Sequence, residues 1–544
     1  MKAQSFLRGT VLLVVAGIVT KVLGALFTIP LARLIGAEGV GLLHMASPVF
    51  ATALVLCVSG IPVAISKLVA ERLAYGDRPG ARQVLLVSLA LMLPVGTTFS
   101  LALYAGAGFI TTFIVKDPRA FFPLRYLAPA VAVVSISSVL RGYFQGHRTM
   151  VPTGASHVLE QIGRVAVGLG LAHLFLPRGV QWAAAGSAMG SLAGAAAGLA
   201  LLVAFFLATE RQDLDAGGPR PLRRPLPGKQ PEAAPLATAF ETAKRLVSLA
   251  APVTLAALVG PLLEALNAII VPARLQSAGF SVVQSTELYG RLSVMALSLV
   301  ALPGVAAAAI ATSLVPQVAA AYAGGKLRRG RDLARQAVRS ALVVGIPATV
   351  GLAVLPAQIC AFLFGDPGGG VPLSAMAFSS VFFCLQQTTA GVLNGIGKVR
   401  IPAMSGLAGA LVAASVNSIL TGMPEVGIRG AALGTGLGFL MAGVLNTLAV
   451  GGLTGDGIRI FGVGWRALLG SAAMAPVVAS VYRTLLGCTY SNAVSTIAGI
   501  LAGIVAYGFA LIVLGELSYR ELALIPFVGR PLARLLRSAT ILRK

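Results

Sequence analysis

The chain has 544 residues, of which 57% are hydrophobic and 11% are charged, with a mean hydropathy of +0.88 and a net charge of +24. Soluble domains carry roughly 25% charged residues, and a soluble core stops growing at about 250–300 residues. The composition therefore excludes a soluble protein. The apolar runs are also too long and continuous for the alternating strands of about ten residues that build a membrane barrel. We predict an all-α polytopic membrane protein.

Hydrophobic runs long enough to cross a bilayer, which takes about 17–25 residues in a helix, occur along the whole chain. We expect about 14 transmembrane helices, at residues 9–35, 42–70, 84–114, 121–143, 150–176, 180–208, 243–271, 290–320, 336–363, 371–396, 401–423, 428–452, 463–487 and 492–515.

The basic residues orient these spans. An even number of spans places both termini on one side. If that side is cytoplasmic, 31 of the 42 Lys and Arg residues lie inside and nine lie outside, while Lys21 and Arg164 fall within spans. This distribution follows the positive-inside rule. Topology thus explains the positive charge without nucleic acid, and predicts a multi-pass membrane protein with both termini cytoplasmic.

Two polar segments divide the chain. Residues 209–240 contain six prolines and predict a cytoplasmic linker that cannot pack a core. The basic tail at 516–544 places Arg530, Arg534 and Arg537 on one helical face, which is typical either of an amphipathic helix on anionic membrane lipid or of a solvated tail. We expect an N-lobe at 1–208 (spans 1–6), a C-lobe at 241–455 (spans 7–12), and spans 13 and 14 at 456–515.

An internal repeat relates the two lobes. The stretch RGYFQGHRTMVP, beginning at Arg141, is echoed by AGVLNGIGKVRIP, beginning at Ala390, and KLVAERLAYGD at Lys67 is echoed more weakly by SLVPQVAAAYAGG at Ser313. Both copies begin on the cytoplasmic side in this topology, so the repeat is parallel. It predicts two pseudo-symmetric six-helix lobes around a central cleft, plus two extra C-terminal helices.

Charged side chains inside spans are functional candidates, because each costs about 2.5–3.5 kcal/mol to insert at mid-depth. Lys21 lies about 18 Å into span 1, with Gly17, Gly24, Ala25 and Thr28 on the same small face. We interpret Lys21 and Thr28 as cavity-lining residues. The alternative is that Lys21 forms a structural pair or reaches the interface.

Span 5 carries the other polar face. His157, Glu160, Gln161 and Arg164 share one side of the helix at offsets of 3, 4 and 7 residues. Glu160 precedes Arg164 by four residues, which favours an intrahelical ion pair. We predict that this face either binds substrate or only joins spans within the first lobe. In span 7, Glu264 and Asn267 are candidates for ion coupling or for a structural contact.

No cofactor, metal or enzyme motif is recognisable. The chain has no Walker A sequence, its four histidines lack metal-ligand spacing, and no nucleophile–base set follows from spacing. The four cysteines have no CxxC spacing and predict free thiols. We therefore expect neither an enzyme nor a cofactor.

Three stretches carry a resemblance to a known family: TKVLGALFTIPLARLIGAEGVGLLHMASPVF, LRGYFQGHRTMVPTGASHVLEQIGRV, and VPARLQSAGFSVVQSTELYGRLSVMALSLVALPGVAAAAIATSLVPQVAAAYA. They resemble the stage V sporulation protein B family and the related lipid II (MurJ-like) flippases. These families belong to the polysaccharide-transporter branch of the multidrug/oligosaccharidyl-lipid/polysaccharide (MOP) exporter superfamily.

The resemblance implies a fourteen-helix fold and an alternating-access flippase of the bacterial cytoplasmic (inner) membrane. Its substrate would be an undecaprenyl-diphosphate-linked sugar for peptidoglycan, spore cortex or other polysaccharide synthesis. It also implies that Lys21, which stands where the flippases carry an Arg, contacts the diphosphate. Lys keeps the charge but loses the bidentate geometry of Arg. Asn267 stands where family members often have Asp, which weakens an ion-coupling role for span 7.

Two other functions remain open from the sequence. A cation-coupled multidrug exporter of the same superfamily would need intramembrane carboxylates, for which Glu160 is the strong candidate in the first lobe. A scaffold for cell-wall synthesis enzymes would instead rely on the long linker and tail.

Overall fold

The computed structural model describes residues 6–215, 238–454 and 460–516, and these residues are helical throughout apart from short turns. The helices are α1 Phe6–Val58, α2 Ile61–Ala74, α3 Arg78–Phe109, α4 Phe121–Gly146, α5 Val151–Phe175, α6 Val180–Asp215, α7 Ala239–Ser277, α8 Val282–Gly290, α9 Leu297–Ala323, α10 Leu327–Val354, α11 Pro356–Phe364, α12 Gly370–Met376, α13 Ser379–Gly395, α14 Arg400–Leu420, α15 Ile428–Thr454, α16 Ile460–Thr489 and α17 Asn492–Val513. Short 3-10 turns at Pro118–Ala120, Leu176–Arg178 and Pro367–Gly369, and π-helical turns at Ile110–Ile114 and Arg291–Ala296, lie between them.

The described helices confirm a polytopic membrane protein. Eleven of them are long and apolar enough to cross a bilayer, or up to thirteen if each of two bent helix pairs is one span. The predicted count of fourteen is not reached by this measure and stays a prediction. One candidate in the total, Leu26–Ala74, contains the predicted boundary between spans 1 and 2.

That boundary is a kink in α1. Gly36 has φ 70° and ψ 179°, so the helix direction breaks there although the hydrogen-bonded helix resumes at once. Glycine adopts a positive φ without the steric cost that a Cβ imposes. The sequence predicts the span boundary at residues 36–41, and the structure places it at Gly36 without a loop.

The described chain forms two compact units. The first runs to Ala273 and includes Val282–Gly290, which is α8; the second comprises Arg274–Ser281 and the described residues from Arg291 onward. Helix α6 extends to Asp215, past the predicted start of the linker. Residues 216–237, 455–459 and 517–544 lie outside the described residues, so the linker, the tail and the predicted domain limits stay predictions.

In the first unit, α5 and α6 pack closely through glycine. A Cβ added at Gly163 would lie 2.9 Å from the Cα of Gly194, and one at Gly190 would collide with Gly168. Helix α4 packs against α6, and α1 packs against both α4 and α5. Small residues allow such close backbone approach between membrane helices. This packing holds the predicted polar face of α5 next to α1, α4 and α6.

In the second unit, α14 and α15 pack in the same way, with a Cβ at Gly438 falling 2.7 Å from the carbonyl oxygen of Gly409. Helix α13 packs against α9, α10 and α15. Helices α16 and α17 pair with each other and contact α10 and α11 respectively.

Candidate functional site

An interhelical ion pair stands at the centre of the polar face on α5. The Nη2 atom of Arg141, from α4, donates to a carboxylate oxygen of Glu160 at 2.7 Å. The Nε atom of Arg141 donates to the hydroxyl of Ser156 at 3.1 Å. The Arg141 side chain is 8% exposed and that of Glu160 is 23% exposed. The guanidinium of Arg141 is thus enclosed by protein, while the carboxylate of Glu160 is more exposed.

This pair corrects the intrahelical one predicted from spacing. Glu160 pairs with Arg141 rather than with Arg164, because α4 brings a guanidinium against the same face of α5. Arg164 turns to α1, where its Cζ atom lies 5.0 Å from the centre of the Phe27 ring. A guanidinium over an aromatic face is a favourable cation–π arrangement. Each of the two charges thus makes its direct contact with another helix, while Arg164 stays within electrostatic reach of Glu160.

The other two predicted residues of this face also lie near the ion pair. His157 is within electrostatic reach of both Arg141 and Glu160. The side-chain oxygen of Gln161 is buried and accepts no hydrogen bond from the described residues. Buried polar atoms in proteins are nearly always hydrogen-bonded. The α5 face therefore has hydrogen-bonding capacity beyond what the ion pair uses.

Glycines of α6 make room for the pair. A Cβ added at Gly198 would lie 3.4 Å from the Cβ of Glu160 and 3.7 Å from the Nη2 of Arg141. One added at Gly194 would collide with the backbone carbonyl of Glu160. Helix α6 thereby presents backbone rather than side chains to the charged groups.

Helix α1 supplies the predicted cationic residue Lys21, whose side chain lies outside the described part of the structure. Its neighbourhood is described: a Cβ added at Gly17 or Gly24 meets no atom within 4 Å, so this face of α1 is open. The hydroxyl of Thr28 donates to the Gly24 carbonyl at 3.0 Å. Thr28 is thus satisfied within its own helix. Cavity-lining roles for Lys21 and Thr28 stay predictions.

The candidates on α7 lie apart from this face. Glu264 is exposed and within electrostatic reach of Tyr289 on α8. Asn267, one turn further along α7, is partly buried and makes a contact of its own. Among the described side chains, no hydrogen bond or ion pair joins Glu264 to Arg141 or Glu160.

Arg141 is the residue that sequence reasoning missed. Its position near a predicted span end suggested a cytoplasmic charge, yet α4 continues to Gly146 and keeps Arg141 more than a turn inside the helix. The available signal was the absence of proline between Arg141 and Gln145-Gly146, which allows the helix to continue past Arg141. In the described residues, no group of three or more His, Cys, Asp or Glu side chains is placed to hold a metal ion.

Fold and site together define a multi-span helical membrane protein with a cationic polar site in its first unit. The chain matches the family described as "Polysaccharide biosynthesis protein" over residues 6–321, and the family described as "MatE" over residues 293–419. It is 31% identical to stage V sporulation protein B of Bacillus subtilis (strain 168) over 98% of this chain and 100% of that protein. The chain therefore belongs to the polysaccharide biosynthesis protein family.

Three further matches agree with this assignment. The chain is 26% identical to lipid II flippase MurJ of Bacillus subtilis (strain 168), over 80% of this chain and 81% of that protein. Among solved structures, lipid II flippase MurJ in an inward closed conformation matches with a TM-score of 0.67 at 13% identity, over 93% of this chain and 99% of that one. An inward-facing MATE family multidrug transporter matches with a TM-score of 0.63 at 16% identity, over 80% and 95%. These structural matches show the fold.

Proposed function

We propose that this protein is an alternating-access flippase that moves undecaprenyl-diphosphate-linked sugars from the inner to the outer leaflet of a bacterial cytoplasmic membrane. In this proposal the protein is a transporter rather than an enzyme, with its termini on the cytoplasmic side. The sugar lipid is lipid II or a related precursor of peptidoglycan, spore cortex or polysaccharide. Relatives named as a sporulation protein and as a lipid II flippase support this substrate class.

The observation that carries the proposal is the charge of the site in the first unit. Three cationic residues, Lys21, Arg141 and Arg164, lie on α1, α4 and α5, and Glu160 is the carboxylate that accompanies them. Arg164 contacts Phe27, less than two helical turns from Lys21 along α1. A net positive site within apolar helices suits a diphosphate, which carries several negative charges and is a strong hydrogen-bond acceptor.

The residues have different proposed roles. Arg164 and Lys21 contact the diphosphate. Glu160 holds Arg141 in place, and Arg141 in turn positions the diphosphate. His157 and Gln161 offer hydrogen bonds to the head group, and Thr28 lines the same side of α1. Glu264 and Asn267 have a structural or coupling role outside this site. The basic tail at 516–544 is proposed to bind anionic lipid, and cell-wall synthesis enzymes are proposed partners.

The test is lipid binding and translocation by the full chain reconstituted in vesicles. We expect tighter binding of an undecaprenyl-diphosphate sugar than of undecaprenyl monophosphate. Arg164→Gln should weaken that binding at least tenfold, and Lys21→Arg should retain more of it than Lys21→Ala. The matched control is Arg178→Gln, because Arg178 also lies over an aromatic ring, Phe175, but at the far end of α5.

Equal binding of both lipids, or equal effects of Arg164→Gln and Arg178→Gln, would count against the proposal.

A second candidate is a cation-coupled multidrug exporter, which the MatE match at 293–419 favours. It predicts transport of hydrophobic cations that Glu160→Gln abolishes. The pairing of Glu160 with Arg141 makes that carboxylate less available for coupling. A folded protein that transports neither class would favour the scaffold hypothesis.

A further inference from the structure

A sequence motif at one corner of the first unit recurs in the second unit. The stretch DPRAFFP at 117–123 and the stretch DPGGGVP at 366–372 are 249 residues apart. Asp117 and Asp366 each begin a three-residue 3-10 turn, and each accepts a hydrogen bond from the backbone N–H two residues on, at 3.0 Å and 2.8 Å. The duplication therefore includes this corner, and differences between the copies are informative.

In the first unit, the corner binds other helices. Asp117 is fully buried, and its carboxylate accepts hydrogen bonds from Arg119 Nη2 at 2.7 Å and from the hydroxyl of Thr286, on α8, at 2.5 Å. Arg119 also forms an ion pair with Glu38, which lies on α1 just after the Gly36 kink. One network, buried at Asp117 and Thr286, thus ties the α3–α4 corner to both α1 and α8.

Helices α1 and α8 cross where this network holds them. A Cβ added at Gly41 would collide with the carbonyl of Thr286, and one added at Gly290 would collide with the carbonyl of Ala37. Gly41 and Gly290 are 249 residues apart, and so are Ala37 and Thr286. The contact is therefore reciprocal, as at a twofold axis. Two equivalent segments thus meet backbone to backbone at these glycines.

The second copy of the corner uses a different arginine. The position of Arg119 is taken by Gly368, and the position of Leu42 is taken by Arg291. The Nε atom of Arg291 donates to Asp366 at 2.7 Å, and its guanidinium fills the space where a Cβ on Gly368 would lie. In the second unit the aspartate is thus bound by the helical segment itself. In the first unit the corresponding aspartate, Asp117, instead accepts a hydrogen bond from Thr286 on α8.

Helix α8 is short, and the segments on both sides of it depart from regular α-helix. It has nine residues, while Arg274–Ser281 before it and the residues from Arg291 after it group with the second unit. Gly279 has φ 95°, and the π-helical turn Arg291–Ala296 follows Gly290 directly. π-helical turns often occur at functional sites in helices.

We propose that Asp117, Arg119, Glu38 and Thr286 form a releasable latch that holds α8 against α1. Breaking the latch frees α8 to leave the glycine crossing, with bending at Gly279 and at the turn after Gly290. The α3–α4 corner lies outside in the predicted topology, so the latch controls access from that side. This proposal does not depend on which substrate the protein carries.

The test uses a thiol placed under the latch. Ser285 on α8 is fully buried, and its hydroxyl has no hydrogen-bond partner among the described residues. Ser285→Cys therefore removes no described contact. Cys57, Cys360 and Cys384 are buried, and the exposed Cys488 is replaced through Cys488→Ser. The rate at which a water-soluble maleimide labels position 285 in the full chain then reports how often α8 leaves α1.

In this background we compare Asp117→Asn with Asp77→Asn. Asp77 is a matched control in the same unit: it begins α3, accepts a hydrogen bond from the Gly80 N–H and pairs with Arg72, and none of these groups lies on α8. Hydrogen bonds to a charged group are stronger than those to a neutral one, and Asp117→Asn makes this group neutral. Asp117→Asn should therefore speed labelling about tenfold or more, and Asp77→Asn should leave the rate unchanged.

Equal labelling rates in the two variants would overturn the proposal, and so would no labelling in either. If Asp117→Asn does not yield folded protein, Thr286→Val replaces it, with Thr286→Ser as its control because the serine keeps the hydroxyl. Faster labelling with valine than with serine supports the latch. The same rate with both overturns it.

Discussion

The α4–α5–α6 triplet of the first unit and the α13–α14–α15 triplet of the second pack alike, since in each the last helix contacts the other two. They differ in charge: the middle helix of the first carries the polar face, and that of the second does not. Both bring their last two helices together on glycine, at Gly163 and Gly194 in one and at Gly409 and Gly438 in the other. The copies are offset by 249 residues up to Gly395, and by 250 from Pro402, because the second copy has one extra residue.

The polar face of the first triplet is absent from the second. Arg141 corresponds to Ala390 and Glu160 to Ala410, so both members of the ion pair are replaced together. The remaining residues of the face, His157, Gln161 and Arg164, correspond to Leu407, Leu411 and Ala414.

This difference shows which side chains of the triplet folding does not require. Because α14 packs on α15 without these charges, the triplet does not need them in order to fold. The second unit buries neutral amides instead; both polar side-chain atoms of Asn446, for example, lack a partner among the described residues. Charge in the first triplet is costly to insert and unnecessary for packing. We infer that it is retained for ligand binding.

The largest effect should come from removing one charge of the first triplet. Arg141→Gln or Glu160→Gln leaves an unpaired charge among apolar helices, which costs about 3 kcal/mol. The Arg141→Gln/Glu160→Gln double variant should be more stable than either single variant. Thermal unfolding of the purified protein measures all three. A double variant less stable than both singles would show that each side chain contributes independently.

That prediction rests on a partner that helical periodicity could not identify. Periodicity placed His157, Glu160, Gln161 and Arg164 on one face of α5 because they share a helix. It could not choose between Arg164, four residues away, and Arg141, nineteen residues away on another helix, because that choice depends on helix packing. The repeat carried a usable signal, since Ala390 and Ala410 replace Arg141 and Glu160 jointly.

The fold, like the site, could be predicted from the sequence only in part. Long apolar runs predict the helical membrane class and most helix positions, because insertion depends on composition along one segment. The same runs predict the span boundary near Gly36, where α1 breaks. The grouping of α8 with the first unit depends on contacts between distant segments, so hydropathy did not predict it.

The second prediction tests whether the two triplets depend on the same close packing at glycine. Gly194→Ala places a Cβ against the Glu160 carbonyl, and Gly438→Ala places one against the Gly409 carbonyl. Each should cost about 1–3 kcal/mol through overpacking. The control is Gly170→Ala in α5, because a Cβ there meets no atom within 4 Å. Unfolding temperatures measure the three variants. Loss in one triplet alone would mean that the copies differ in packing as well as in charge.

The third prediction concerns a variant in which the first triplet carries the residues of the second. Arg141→Ala/Glu160→Ala installs the residues found at positions 390 and 410, so the protein should fold with stability close to that of the parent. Transport of the diphosphate-linked sugar in vesicles should fall about tenfold, which corresponds to roughly 1.4 kcal/mol. A folded double variant with full transport would remove the ion pair from the mechanism and leave it a structural role.

The smallest effect concerns the contact between Arg164 and Phe27, which has no counterpart where position 414 is alanine. Phe27→Leu removes the aromatic ring but keeps an apolar side chain at a position that is 3% exposed. Phe27→Leu also leaves a small cavity, so its stability alone cannot report the cation–π contact. A double-mutant cycle with Arg164→Gln isolates the interaction. We expect a coupling free energy of about 1 kcal/mol, within the range for partly desolvated cation–π pairs. Strictly additive losses in the cycle would show that Phe27 only packs beside Arg164, and that the orientation of its guanidinium is set elsewhere.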